Sequence, residues 1–242
     1  MTPHELAIKS APMIADIGSA YYFVPNTLDA GKQRGLGGYQ FYFLGRGGVL
    51  GDVDPEVVTS AFGYFHPDLV TKIWNKARET MDPREGARLH LACAAELART
   101  KFADLDLAAF CVAAAAVNDA VNPAGLAQYA GVDAEPLPDD DAARAMQLCI
   151  CLREARGSAH LAAVVTTGID VAVAHYLRRP DFYETFGWSD TPSVRPEDRE
   201  LLDRADALTD DMMQTPFAAL DPSGAEAMLR GLTEMTAALK AE

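Results

Sequence analysis

The sequence predicts an all-α protein, a globular bundle of roughly ten helices. Three observations predict it. Alanine is abundant and aromatic residues make up only 8% of the chain, which favours helix over sheet. Proline repeatedly follows a capping residue, the pattern of a helix start. Between these starts, apolar residues recur three and four positions apart.

The elements follow in order along the chain. Thr2-Pro3-His4-Glu5 combines an N-cap, a proline in the first turn and a capping-box glutamate. Tyr21-Tyr22-Phe23 is read mainly as core, with the polar end of Tyr22 able to line a pocket. Tyr39 to Phe43 is aromatic enough for a strand but has no partner strand. A short helix or an extended buried segment is therefore expected there.

Residues 42–56, YFLGRGGVLGDVDPE, raise the question of a phosphate site. A P-loop needs a lysine and a hydroxyl residue after its last glycine, and both are missing. A dinucleotide fingerprint needs glycine at position 50, which is Leu50, and a βαβ unit that the helical context denies. The stretch is therefore expected to be a glycine-rich loop presenting Arg46. Its guanidinium fork suits a carboxylate or phosphate ligand. An internal salt bridge is the competing expectation.

Further starts are expected at Asp54-Pro55, His66-Pro67, Asp82-Pro83, Asn122-Pro123, Arg195-Pro196 and Asp221-Pro222. Leu89, Ala92, Cys93, Glu96 and Leu97 show helical spacing after Asp82. His66 is a second residue whose polar end could reach a pocket. The acidic, proline-bearing run 135–141 marks the expected boundary between an N-terminal lobe, 1–134, and a C-terminal lobe, 135–242. In the second lobe one helix is expected to end near Gly157. Ser158 would cap the next, an apolar helix placing His160 in its first turn. There a neutral imidazole could bind a ligand, act as a general base, or bond to the backbone or Glu154.

Several classes of function are disfavoured. A formal net charge of −14 repels phosphate backbones, so nucleic acid is a disfavoured partner. There is no HExxH or ExxH pair, and Cys149 and Cys151 point away from each other on a helix, so no metal site is expected. The four cysteines sit in apolar contexts as core residues. No apolar run reaches about 18 residues and the N-terminus lacks a signal pattern, so no membrane association is expected. The expected location is the cytoplasm. No cofactor is implied, and a homodimer is left open.

A family resemblance runs along nearly the whole chain. It is carried by Tyr22-Phe23-x-Pro25, then Arg46 with Gly51, then Phe62-x-x-Phe65-x-Pro67. Leu152-Arg153-Glu154-x-Arg156-Gly157-x-x-His160 and Gly187-Trp188-Ser189-Asp190 complete it. In this order the motifs resemble a bacterial, largely actinomycete helix-turn-helix family. The resemblance implies an all-helical body with a winged-helix-like C-terminal part, and it marks Arg46, Arg156 and His160 as recurring polar positions. The segment Arg195 to Asp211, where DNA would be read, departs from this by holding more acids than bases.

Three functions compete on these grounds. The first is binding of an anionic or carbonyl-bearing small molecule by Arg46, His160, Arg156, Tyr22 and His66. The second is a cofactor-independent enzyme with His160 as the catalytic base. The third is a helix-turn-helix DNA-binding regulator.

Overall fold

The computed structural model describes residues 1–241. Its described residues form twelve α-helices and no strand. The first six are α1 (Pro3–Ser19), α2 (Pro25–Gln33), α3 (Gly38–Gly47), α4 (Pro55–Phe62), α5 (Pro67–Arg78) and α6 (Pro83–Lys101). The rest are α7 (Ala108–Asp119), α8 (Ala127–Asp133), α9 (Asp141–Thr167), α10 (Val171–Arg178), α11 (Asp198–Phe217) and α12 (Pro222–Lys240). Single 3-10 turns occupy Gly48–Leu50, Pro180–Phe182 and Glu184–Phe186.

Most helices begin where local chemistry dictates. At α1 the Glu5 amide donates to Thr2 Oγ1 (3.2 Å) while the Thr2 amide donates to the Glu5 carboxylate (2.7 Å), closing the capping box. Asp82, Asp140 and Asp221 accept first-turn amides of α6, α9 and α12 at 3.0, 3.0 and 2.7 Å. Two expected starts are displaced. After Asn122-Pro123 the chain makes a turn, closed by Asn122 Oδ1 on the Ala124 amide, and α8 begins only at Ala127. After Arg195-Pro196 another turn intervenes before Asp198 opens α11.

The central element is α9, 27 residues and about 40 Å long, which packs on α1, α6, α7, α8 and α11. Its continuity corrects the expected break at Gly157. The helix runs through Gly157 and ends at Gly168, whose left-handed φ of 79° turns the chain by 119° into α10. His160 therefore lies deep within a helix and gains nothing from a helix N-terminus. Burial on neighbouring helices outweighs the weak helix preference of one glycine.

The glycine-rich segment is corrected in the same way. Tyr39 to Phe43 is helical, the first of the two forms expected for it, and the helix runs on to Gly47, its glycines permitting close helix packing where a loop was expected. A Cβ on Gly45 would stand 2.3 Å from the His90 ring, and one on Gly48 only 1.9 Å from the Pro83 carbonyl oxygen. With no side chain between them, α3 and the turn after it lie directly on α6.

One hydrophobic cluster runs from Leu6 to Met235 and draws on residues either side of the acidic run at 135–141. Within that run Glu135 is buried beside Arg84 and Arg88 of α6. A smaller cluster joins the end of α9 to α10 and α11 through Val164, Ile169, Val173 and Leu202. The four cysteines are free and buried. No single helix among the described residues is long and apolar enough to cross a membrane.

The packing of the 3-10 turn on α6 gives a direct test. Gly48→Ala must displace backbone, so it should lower the free energy of unfolding by about 3 kcal/mol in urea titration. A neutral substitution would show that the turn does not rest on Pro83.

Candidate functional site

On α9, residues 153, 156, 157 and 160 fall on one stripe of the helix surface. They are Arg153, Arg156, Gly157 and His160, and they form one wall of a cavity of about 380 Å³. Ile14 of α1, Tyr42 and Arg46 of α3, and Phe62 of α4 contribute to the other walls. Tyr64 and Phe65 enter from the following connector, His175 and Arg178 from α10, and Asp206 and Thr209 from α11. Gly157 is exposed, and a Cβ built on it meets no atom within 4 Å. A glycine inside a helix costs about 1 kcal/mol relative to alanine, and here it leaves the wall of the cavity open.

The electrostatic centre is Glu154, one step round the helix from that stripe. Arg46 donates to both its oxygens, Nε to Oε1 at 2.9 Å and Nη2 to Oε2 at 2.8 Å. Arg153 Nη1 donates to Oε1 at 2.6 Å. The Glu154 side chain is only 3% exposed and that of Arg46 14%. Burial opposes ionisation of Glu154, but Arg46 and Arg153 together overcome it and hold the carboxyl well below the usual range. Arg46 also donates Nη1 to the Tyr42 hydroxyl at 3.3 Å and lies 4.5 Å over the Phe62 ring. Its backbone carbonyl accepts from Gln128 of α8 at 2.6 Å. Arg46 thus makes the internal salt bridge and lines the cavity at the same time.

The other arginines at the site each have an acid of their own. Arg156 pairs with Asp210 at 2.6 Å, Arg178 with Asp206, and Arg179 with Asp181 at 3.4 Å. His160 Nδ1 meets Thr209 Oγ1 at 3.1 Å and lies 3.6 Å from Asp206 Oδ1. Its partners are on α11, where Glu154 or the backbone had been the expected alternatives. Burial, helped by the Arg178 charge, pushes its pKa down to about 4, so the ring is neutral at pH 7.

Four buried polar atoms on the lining residues have no hydrogen-bond partner among the described residues. They are Tyr64 Oη, His160 Nε2, His175 Nε2 and Arg156 Nη1. The Tyr64 ring neighbours both imidazoles, 6.1 Å from His160 and 5.6 Å from His175, centre to centre. No group of three or more His, Cys, Asp or Glu with metal-binding geometry occurs among the described residues.

Of the residues expected from sequence, Arg46, Arg156 and His160 come together here. Tyr22 and His66 lie outside the lining. Tyr22 is buried behind Arg153, whose guanidinium lies 5.3 Å from its ring, and packs on His90. His66 caps α5 by accepting the Asp68 amide on Nδ1 at 3.2 Å, and its ring meets Trp188 edge-on. Sequence reasoning passed over Tyr64, His175 and Asp206. A lone histidine in the apolar run Val171 to Leu177 was the available signal for His175.

A helix-turn-helix family profile matches residues 9–193. The chain belongs to this helix-turn-helix family. The matched span contains α1 from its seventh residue, α2 to α10, and every cavity residue except those of α11, while α11 and α12 lie beyond it. No curated protein and no solved structure matches the chain.

His90 and His160 predict how stability depends on pH. His90 is fully buried among Tyr21, Tyr22 and Phe41, and burial, with the Arg46 charge, pushes its pKa down to about 3. Both folded values lie below the ordinary 6.5. As pH falls below about 6.5 the unfolded chain takes up protons first, so stability is full above that value and declines towards the folded pKa values. Glu154, also depressed, withdraws its contribution only at lower pH. The urea midpoint should therefore fall between pH 6.5 and 5, less steeply in His90→Leu. A flat profile over that window would contradict the neutral buried imidazoles.

Proposed function

We propose that the protein binds a small organic anion with an apolar body in the cavity along α9. The observation that carries this reading is the charge balance at Glu154. Two arginines, Arg46 and Arg153, share one carboxylate, while Arg156, Arg178 and Arg179 each have their own acid. One positive charge is left over in a largely buried setting, inside a protein whose net charge is −14. A buried excess charge is unfavourable until a counter-charge reaches it. The walls of Phe62, Phe65 and Phe186 suit the apolar remainder of such a ligand, as in most small-molecule sites.

Family membership favours a second reading, DNA binding. Against it, α11 from Asp198 to Phe217 carries six acids and two arginines. Groove binding needs cations and amides facing the phosphates. We place the regulator below the ligand binder for this reason. A general-base role for His160 on the bound anion remains the enzymatic alternative, supported by its neutral ring and the acids of α11 behind it.

Thermal denaturation with 3-phenylpropionate and its uncharged amide tests the reading. The carboxylate should raise Tm in a concentration-dependent way and the amide should not. Gly157→Leu should abolish the shift without loss of stability, because leucine favours helix and would fill the open wall. Equal shifts from acid and amide, or an undiminished shift in Gly157→Leu, would overturn it.

A further inference from the structure

The hydrogen-bond pattern around His160 identifies its tautomer, and the tautomer specifies what the ligand must present. Thr209 has one hydroxyl hydrogen. That hydrogen is committed to the Ala205 carbonyl oxygen at 2.7 Å, the bond that ties Thr209 back to its own helix. At the 3.1 Å contact with His160 Nδ1, Thr209 Oγ1 is therefore the acceptor, and Nδ1 carries the ring hydrogen. Asp206 Oδ1, 3.6 Å from the same nitrogen, reinforces the choice, because a bare Nδ1 would face both a hydroxyl oxygen and a carboxylate.

With Nδ1 protonated and the ring neutral, Nε2 is a bare acceptor. It is buried and has no partner among the described residues. The phenol of Tyr64 beside it and Nη1 of Arg156, on the same helix stripe as His160, are also unpartnered, and both can donate. The lining residues therefore combine the bare His160 Nε2 with two unpartnered donors, and with His175 Nε2, whose role depends on the tautomer of that ring. A hydroxyl group suits such a set, since it donates one hydrogen and accepts others.

We propose that the ligand is an organic monoanion that also carries a hydroxyl group, the anionic end answering the excess charge at Arg46 and Arg153 and the hydroxyl donating to His160 Nε2. This rests on the anion-binding reading above and narrows it to hydroxylated carboxylates. Simple carboxylates occupy the same cavity more weakly, because they leave the buried acceptor unpaired.

Two measurements test it. Long-range ¹H–¹⁵N correlation spectra of the whole protein at pH 7 should show His160 with a protonated Nδ1 and a bare Nε2. The opposite tautomer, or a charged ring, overturns the inference before any ligand is added. Calorimetric titration then compares benzoate with its ortho-, meta- and para-hydroxy derivatives and the matching methoxy compounds. At least one hydroxybenzoate should bind about tenfold more tightly than benzoate and than its methoxy partner. That advantage should vanish in His160→Phe. If benzoate binds but no hydroxyl improves it, the hydroxyl requirement fails and anion binding stands. If phenol binds as well as the hydroxybenzoates, anion binding fails. If no benzoate binds, both fail.

Discussion

The structure around the cavity depends on one carboxylate. Glu154 sits in the middle of α9, almost wholly buried, and accepts from Arg46 and Arg153 through three short hydrogen bonds. A buried carboxylate without partners would either take up a proton or be excluded from the core. Paired with two guanidiniums it stays ionised, and its geometry is then imposed on its neighbours. Arg46 is drawn from the last turn of α3 to the side of α9, its carbonyl is held by Gln128 of α8, and its plane covers Phe62 of α4. Three helices are thereby referenced to one side chain, and the cavity is the space they leave beside it.

The continuity of α9 is the second condition. Arg153, Arg156 and His160 point the same way only because the helix runs unbroken through Gly157. A break there would rotate His160 away from the arginines and from Thr209 and Asp206 on α11. The helix holds because its other faces are packed on α1, α6, α7, α8 and α11. Gly157 itself packs on nothing, which keeps that part of the cavity wall free of side chains. The family profile covers this arrangement up to α10. Asp206 and Thr209, which line the cavity from α11, and Asp210, which pairs with Arg156, lie beyond it and orient His160 and Arg156.

What could be read from sequence divides by the range of the interaction. The starts at Thr2, Asp82 and Asp221 were legible because a cap bonds to amides two or three residues away. The segment around Arg46 has the local pattern of a loop, yet it is helical because its glycines answer to His90 and Pro83, about 35 to 45 residues further on. Gly157 has the local pattern of a helix end for the same reason, since nothing adjacent to it records the helices packed around α9. Arg46 and His160 were recognisable as polar groups in apolar surroundings that require partners. The partners themselves, Glu154 at a separation of 108 residues and Thr209 at 49, are set by tertiary packing.

The most direct measurement is the unfolding free energy of single variants of the buried triad. Glu154→Gln leaves two cations without their carboxylate, and should lose about 3–5 kcal/mol, the usual cost of uncovering a buried charge. Arg46→Met and Arg153→Met each leave one intact ion pair, and each should lose clearly less than Glu154→Gln. Equal losses from all three, or a Glu154→Gln protein as stable as the parent, would contradict the shared carboxylate as the organising interaction.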